Sequence, residues 1–109
     1  MSQSFAWLVL ITAGLLDVGW AISMKYADGY SRAGWTIVSL ALLAAFVFLL
    51  GRALQVLEIG IAYTVWTGIG AAGTLVMGVW LFGEALNPTK IVGIALVMSG
   101  IVALKLAPT

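Results

Sequence analysis

The chain of 109 residues has no cysteine and no histidine, which removes disulfides, thiolate nucleophiles, iron–sulfur ligation and ordinary zinc sites from the chemistry open to it. Charge is almost as scarce. Five Lys or Arg and four Asp or Glu make up 8% of the residues, where a soluble domain carries roughly a quarter. So few charged side chains cannot cover a water-facing surface. The net charge of +1, with no basic cluster, lacks the electrostatic footprint of a nucleic-acid binder. What is present is apolar: 63% of the residues are hydrophobic, so the solvent of this chain is a lipid bilayer. Any chemistry must use carboxylates, Lys or Arg, hydroxyls and aromatic rings.

A helix needs about 20 mostly apolar residues to cross a bilayer. Four runs of that kind lie between the charged positions, at about residues 5–23, 34–50, 60–82 and 91–106, and we read 1–109 as a single all-α domain of four transmembrane helices. The polar residues fall in the connectors: Lys25, Asp28 and Arg32, then Arg52 and Glu58, then Glu84 and Lys90. Turn chemistry accompanies them in Asp28-Gly29, Gly83 and Asn87-Pro88. The segment from Met1 to Ala6 is without a basic region, and no small-residue cleavage site follows it, so the first run is expected to be a span rather than a signal peptide. A β-barrel is excluded because the runs are continuously apolar rather than alternating. Connectors one and three share a membrane face with Lys25, Arg32 and Lys90, while Arg52 and Lys105 mark the other, a bias of three to two. Either Lys25 and Arg32 suffice to orient the chain, or it inserts both ways round and two copies pair antiparallel about a two-fold axis in the membrane plane.

Asp17 lies within the first span with no basic residue in that helix to pair with it. An ionised Asp near a helix centre costs roughly 2.5–3.5 kcal/mol on insertion scales, and such residues usually line an ion or proton path. The plainer alternatives are a protonated Asp making one interhelical hydrogen bond, or a salt bridge to Lys105. Three- and four-residue spacings put Leu10, Ala13, Gly14, Trp20 and Met24 on its face. Gly14 would leave open volume for a small ligand one turn away, and Trp20 would wall it, unless Trp20 is an interfacial belt residue. In the third span Tyr63 and Trp66 are one turn apart, and flat rings with a hydroxyl and an indole N–H suit a cation. Gly68, Gly70 and Gly73 permit close packing or a bend there. Gly93, Val97 and Gly100 share one face of the last span, a spacing that marks helix association.

Four short spans, a carboxylate in the first, GIAYTVWTGIGAAG in the third and GIALVMSG in the fourth resemble the small multidrug resistance family over essentially the whole chain. Trp20 after Asp17, WTGIGAAG, KYADGYSR after the first span and Lys105 are similar to its guanidinium-exporter subtype. The resemblance implies an antiparallel, dual-topology homodimer of four-helix subunits in a bacterial-type inner membrane, exchanging protons for guanidinium ions by alternating access. It implies no enzymatic activity, cofactor or metal. By position, Asp17 stands where the family has its proton- and substrate-binding carboxylate, and Trp20, Tyr63 and Trp66 where the subtype has pocket aromatics. Two positions depart from the pattern: Asp17 is one methylene shorter than the usual Glu, and Phe46 stands where a supporting Ser is usual, with Ser39 two turns away. The rival readings are export of hydrophobic quaternary ammonium cations, which Phe46 favours and Trp20 opposes, and a proton-conducting or structural subunit of a membrane ring.

Overall fold

Two of the four helices begin at a side chain that accepts from a free backbone amide. In the computed structural model, which describes residues 1–107, four helices follow one another: α1 (Gln3–Tyr26), α2 (Ala33–Ala53), α3 (Ile59–Phe82) and α4 (Pro88–Leu106). Ser2 caps α1 by accepting from the Phe5 amide at 3.1 Å, and Asn87 caps α4 by accepting from the Lys90 amide at 2.9 Å, with Pro88 opening the helix. Gly83 closes α3 in the left-handed conformation, φ +65, which a side chain would strain.

The helices run past the expected spans. Lys25 and Arg52, expected in connectors, lie in the last turns of α1 and α2, and Lys90 lies in the first turn of α4. A cation beside the free carbonyls at a helix C-terminus is stabilising, so Lys25 and Arg52 prolong their helices rather than end them. At ~1.5 Å per residue the 24 residues of α1 reach about 36 Å, enough for the ~30 Å hydrocarbon layer. All four helices are long and apolar enough to cross a membrane, and no strand occurs among the described residues.

The molecule is a slab of 44 × 34 × 16 Å. Since a helix with its side chains is about 10–12 Å across, the slab is little more than one helix thick. α1 packs against α2 and α3, α3 carries α4 on its far side, and α2 barely touches α3, giving the lateral order α2, α1, α3, α4. In lipid there is no hydrophobic drive between apolar helices, so close approach depends on small residues. The buried positions are accordingly rich in them: Ala6, Ala13, Gly14, Ala62, Gly70, Ala72 and Gly78. Leu10, Val65 and Leu57 fill one end of the core with Trp7. At the opposite end the Glu84 carboxylate sits against Gly78, and Lys25 reaches Glu84 at 4.0 Å, tying the end of α1 to the turn after α3. No residue of α4 is buried.

Candidate functional site

Asp17 lies on the seam between α1 and α3. Its carboxylate rests against Gly70, where a Cβ would come within 3.1 Å of Asp17 Cγ and closer still to Oδ2. Gly70 is thus a notch that receives the acid. Among the described residues Asp17 has neither a hydrogen-bond donor nor a cationic partner. Lys105, the cation weighed as its counter-charge, instead places Nζ 5.2 Å above the Trp7 ring. A cation held on a ring face at the membrane boundary needs no carboxylate.

One turn beyond Asp17, Trp20 meets Phe46 of α2 with ring centroids 5.4 Å apart. Phe46 in turn stacks on Trp66 of α3 at 5.5 Å and 29°, and Trp66 lies 5.5 Å from Tyr63 at 58°. The aromatic line therefore crosses three helices: Trp20, Phe46, Trp66, Tyr63. Because Gly70 is four residues beyond Trp66, the acid and this line share one face of α3. Phe46 is 3% exposed whereas Tyr63 is 58% exposed, so the line starts inside the subunit and ends on its open face. The Trp66 indole nitrogen is buried and has no acceptor.

The glycines let neighbouring side chains approach the helix backbones. The open volume expected at Gly14 is taken by Ile69, whose Cγ2 would lie 2.7 Å from a Cβ there. Gly14 brings α1 against α3 and leaves no room for a ligand, because the missing side chain on one helix admits a branched one from the next. Gly68 likewise admits Ile101 and Val97 of α4, at 3.0 and 3.1 Å from a Cβ placed there, and Gly73 admits Val18. α3 runs as one unbroken helix through Gly68 and Gly70. On α4, Val97 turns partly toward α3, while a Cβ at Gly93 or Gly100 would meet nothing within 4 Å.

Ser39 does not take the role of the hydroxyl missing at position 46. Its Oγ donates to the Thr36 carbonyl at 2.7 Å, within its own helix. Two features escaped the sequence: the seating of Asp17 on Gly70, and Phe46 as the link between two indoles. The four-residue step from Trp66 to Gly70 could have flagged the first. For the second nothing in α2 marks which side faces α1, since the helix is apolar all round.

The profile of the Small Multidrug Resistance protein family matches residues 5–97. The chain belongs to the small multidrug resistance family. With four membrane-spanning helices, this small multidrug resistance protein is a multi-pass inner-membrane protein. A guanidinium exporter of Yersinia pseudotuberculosis is 49% identical over 102 residues, covering 94% of this chain and 98% of that relative. Guanidinium exporters of Citrobacter freundii and of Escherichia coli K12 are each 41% identical over 102 residues, covering 94% of this chain and 97% of theirs. The likeness therefore spans nearly the whole chain.

Proposed function

We propose that this protein exports guanidinium or small guanidinylated cations in exchange for protons, and that Asp17 is the group over which the two compete. The observation that carries the reading is the Asp17 carboxylate itself, the one acid inside a span, without a partner and beside a line of aromatic rings. Guanidinium is planar, its forked N–H donors match two carboxylate oxygens, and its face stacks on an indole. A proton bound to the same oxygens removes the charge that holds the cation. Binding one ligand expels the other, and that exclusion is the coupling an antiporter needs.

The functional unit is an antiparallel homodimer. Tyr63, 58% exposed at the end of the aromatic line, lies on a face that a second copy would close. The near balance of Lys and Arg across the two membrane faces supports insertion in both orientations. Two Asp17 carboxylates in one enclosed site would titrate as a coupled pair. α4 contributes the association surface with Gly93, Gly100 and the neighbouring Val97, and the glycines of α3 let Gly68 and Gly70 act as the flexible region during alternating access. The residues offer a binding site and no nucleophile–base pair, so the protein acts as a transporter and not as an enzyme.

A second reading, export of hydrophobic quaternary ammonium ions, is favoured by one observation, the buried Phe46 ring in place of a hydroxyl. Proteoliposomes with an imposed pH gradient separate the two. Guanidinium uptake driven by the gradient, abolished in Asp17→Asn, is the expected result. Transport of a bulky tetraalkylammonium ion without guanidinium transport would replace the reading with its rival, and undiminished proton-driven uptake by the Asn variant would refute the role of Asp17. The assembled mass in detergent distinguishes an exporter of two copies from a proton-conducting ring of many.

A further inference from the structure

A cavity of about 510 Å³ opens at the end of the molecule where the start of α1, the α2–α3 connector and the last turn of α4 meet. It lies apart from Asp17, since Trp7, which lines it, comes ten residues earlier on α1, about 15 Å along the axis. Trp7 and Leu57, both buried, give the cavity an apolar back, and the side chains of Gln3, Ser4, Glu58 and Lys105 bring polar groups to it. Those four side chains have no hydrogen-bond or ion-pair partner among the described residues. Thr12, Thr67 and Ser99 spend their hydroxyls on the carbonyl four residues back. Ser4, in the first turn of α1, has no such carbonyl to reach, so its hydroxyl is left for a ligand. Glu58 precedes α3 without capping it, and Lys105 Nζ lies over the Trp7 ring rather than on a carboxylate.

One cation and one anion therefore border the cavity without pairing with each other. Such a lining is complementary to a ligand that carries both charges, and it favours neither an anion nor a cation alone. The depth points to lipid. Gln3 opens α1 and Lys105 lies in the last turn of α4, so the cavity sits at the membrane boundary, where Trp and Lys side chains meet headgroups. A phosphate there would accept from the Lys105 ammonium, the Ser4 hydroxyl and the Gln3 amide, all of which are donors. A primary ammonium carries three N–H donors for the Glu58 carboxylate. A trimethylammonium carries none and is recognised by open ring faces instead, and the Trp7 face already holds Lys105. We propose that this cavity binds the headgroup of a phosphatidylethanolamine lipid, with the phosphate on Lys105, Ser4 and Gln3 and the ammonium on Glu58.

Native mass spectrometry of the full-length protein in detergent, titrated with dioleoylphosphatidylethanolamine, dioleoylphosphatidylcholine or dioleoylphosphatidylglycerol, compares headgroups on identical chains. The wild type should bind the ethanolamine lipid about tenfold more tightly than either of the others. Glu58→Gln, which keeps the shape and removes the anion, should bring the ethanolamine-to-choline ratio to within about twofold of unity. Lys105→Met should weaken the ethanolamine and choline lipids alike, by about tenfold, because both present the same phosphate. Arg32→Gln, at the opposite membrane face, should change neither affinity. All of these side chains are exposed, so the variants should keep the assembled size of the wild type. Equal binding of the ethanolamine and choline lipids by the wild type overturns the proposal, as does a ratio that Glu58→Gln leaves unchanged. Phosphatidylglycerol bound as tightly as phosphatidylethanolamine would reduce the site to Lys105 alone and overturn it too. So would the absence of any bound lipid, which would leave the cavity to a second copy of the chain. Soluble phosphoethanolamine should bind at least about a hundredfold more weakly than the lipid, and equal binding would overturn the assignment to a membrane ligand.

Discussion

Substituting Gly70 by Ala tests the seating of the acid directly. The added Cβ would stand 3.1 Å from Asp17 Cγ and 3.6 Å from Asp17 Cβ, and would overlap a carboxylate oxygen. Either the carboxylate turns out of its notch or α1 and α3 separate. Relief by rotation is the easier route, because Asp17 has no hydrogen bond to break and the helix seam is held by many contacts. Two opposing effects then act on stability: Ala improves helix propensity over Gly by about 1 kcal/mol, and overpacking costs about 1–3 kcal/mol. Folding should therefore change little, with a net loss of at most ~2 kcal/mol. Binding should change more. A charge-assisted hydrogen bond is worth about 1.5–3 kcal/mol, so a displaced carboxylate lowers guanidinium affinity by about ten- to a hundredfold. Gly73→Ala is the matched control, since it presses Val18 of the same α1 seam, 2.6 Å from the new Cβ, without touching the acid. Calorimetric titration of guanidinium, with thermal unfolding followed by size exclusion, measures both quantities. The reasoning is refuted if Gly70→Ala binds within about twofold of wild type, or if Gly73→Ala loses as much affinity as Gly70→Ala.

Guanidinium affinity should fall as pH is lowered, because a proton on Asp17 leaves a neutral group, and cation binding should release protons into a weakly buffered solution; a pH-independent affinity would exclude competition at one site. Asp17→Glu should raise guanidinium affinity, since the longer side chain extends its carboxylate about one C–C bond farther toward Trp66 and Tyr63, and titration across a pH series checks it; weaker binding at every pH would mean that the site is built around the shorter acid. Accessibility labelling of a C-terminal tag should find both orientations in the membrane, and a single orientation would exclude an antiparallel homodimer. Gly100→Leu, whose Cβ would meet nothing within 4 Å in its own subunit, should leave the monomer folded and reduce the dimer fraction by about tenfold; cross-linking yield at constant detergent and protein concentration reads this directly.

The primary structure alone determined the environment and the number of spans, because a bilayer admits only closed hydrogen-bonded elements and the helix must be of a set length. It also singled out Asp17, because a carboxylate without a partner in an apolar run is expensive wherever the neighbours turn out to lie. Caps were legible as well: Asn87-Pro88 and Gly83 act through their own backbone conformations, which depend on few other residues.

Partners across helices were decided only by the tertiary structure. Periodicity gives the face a residue occupies, but these helices are apolar nearly all round, so no stripe declares which neighbour each face meets. A glycine is the same letter whether it admits Ile69, as Gly14 does, the Asp17 carboxylate, as Gly70 does, or nothing in the subunit, as at Gly93 and Gly100. The same holds for Phe46, an ordinary apolar residue in sequence that becomes the bridge between Trp20 and Trp66 only when α2 and α3 flank α1. Without a hydrophobic drive between helices in lipid, the fit of small residues against particular side chains selects the arrangement, and that fit exists only in three dimensions.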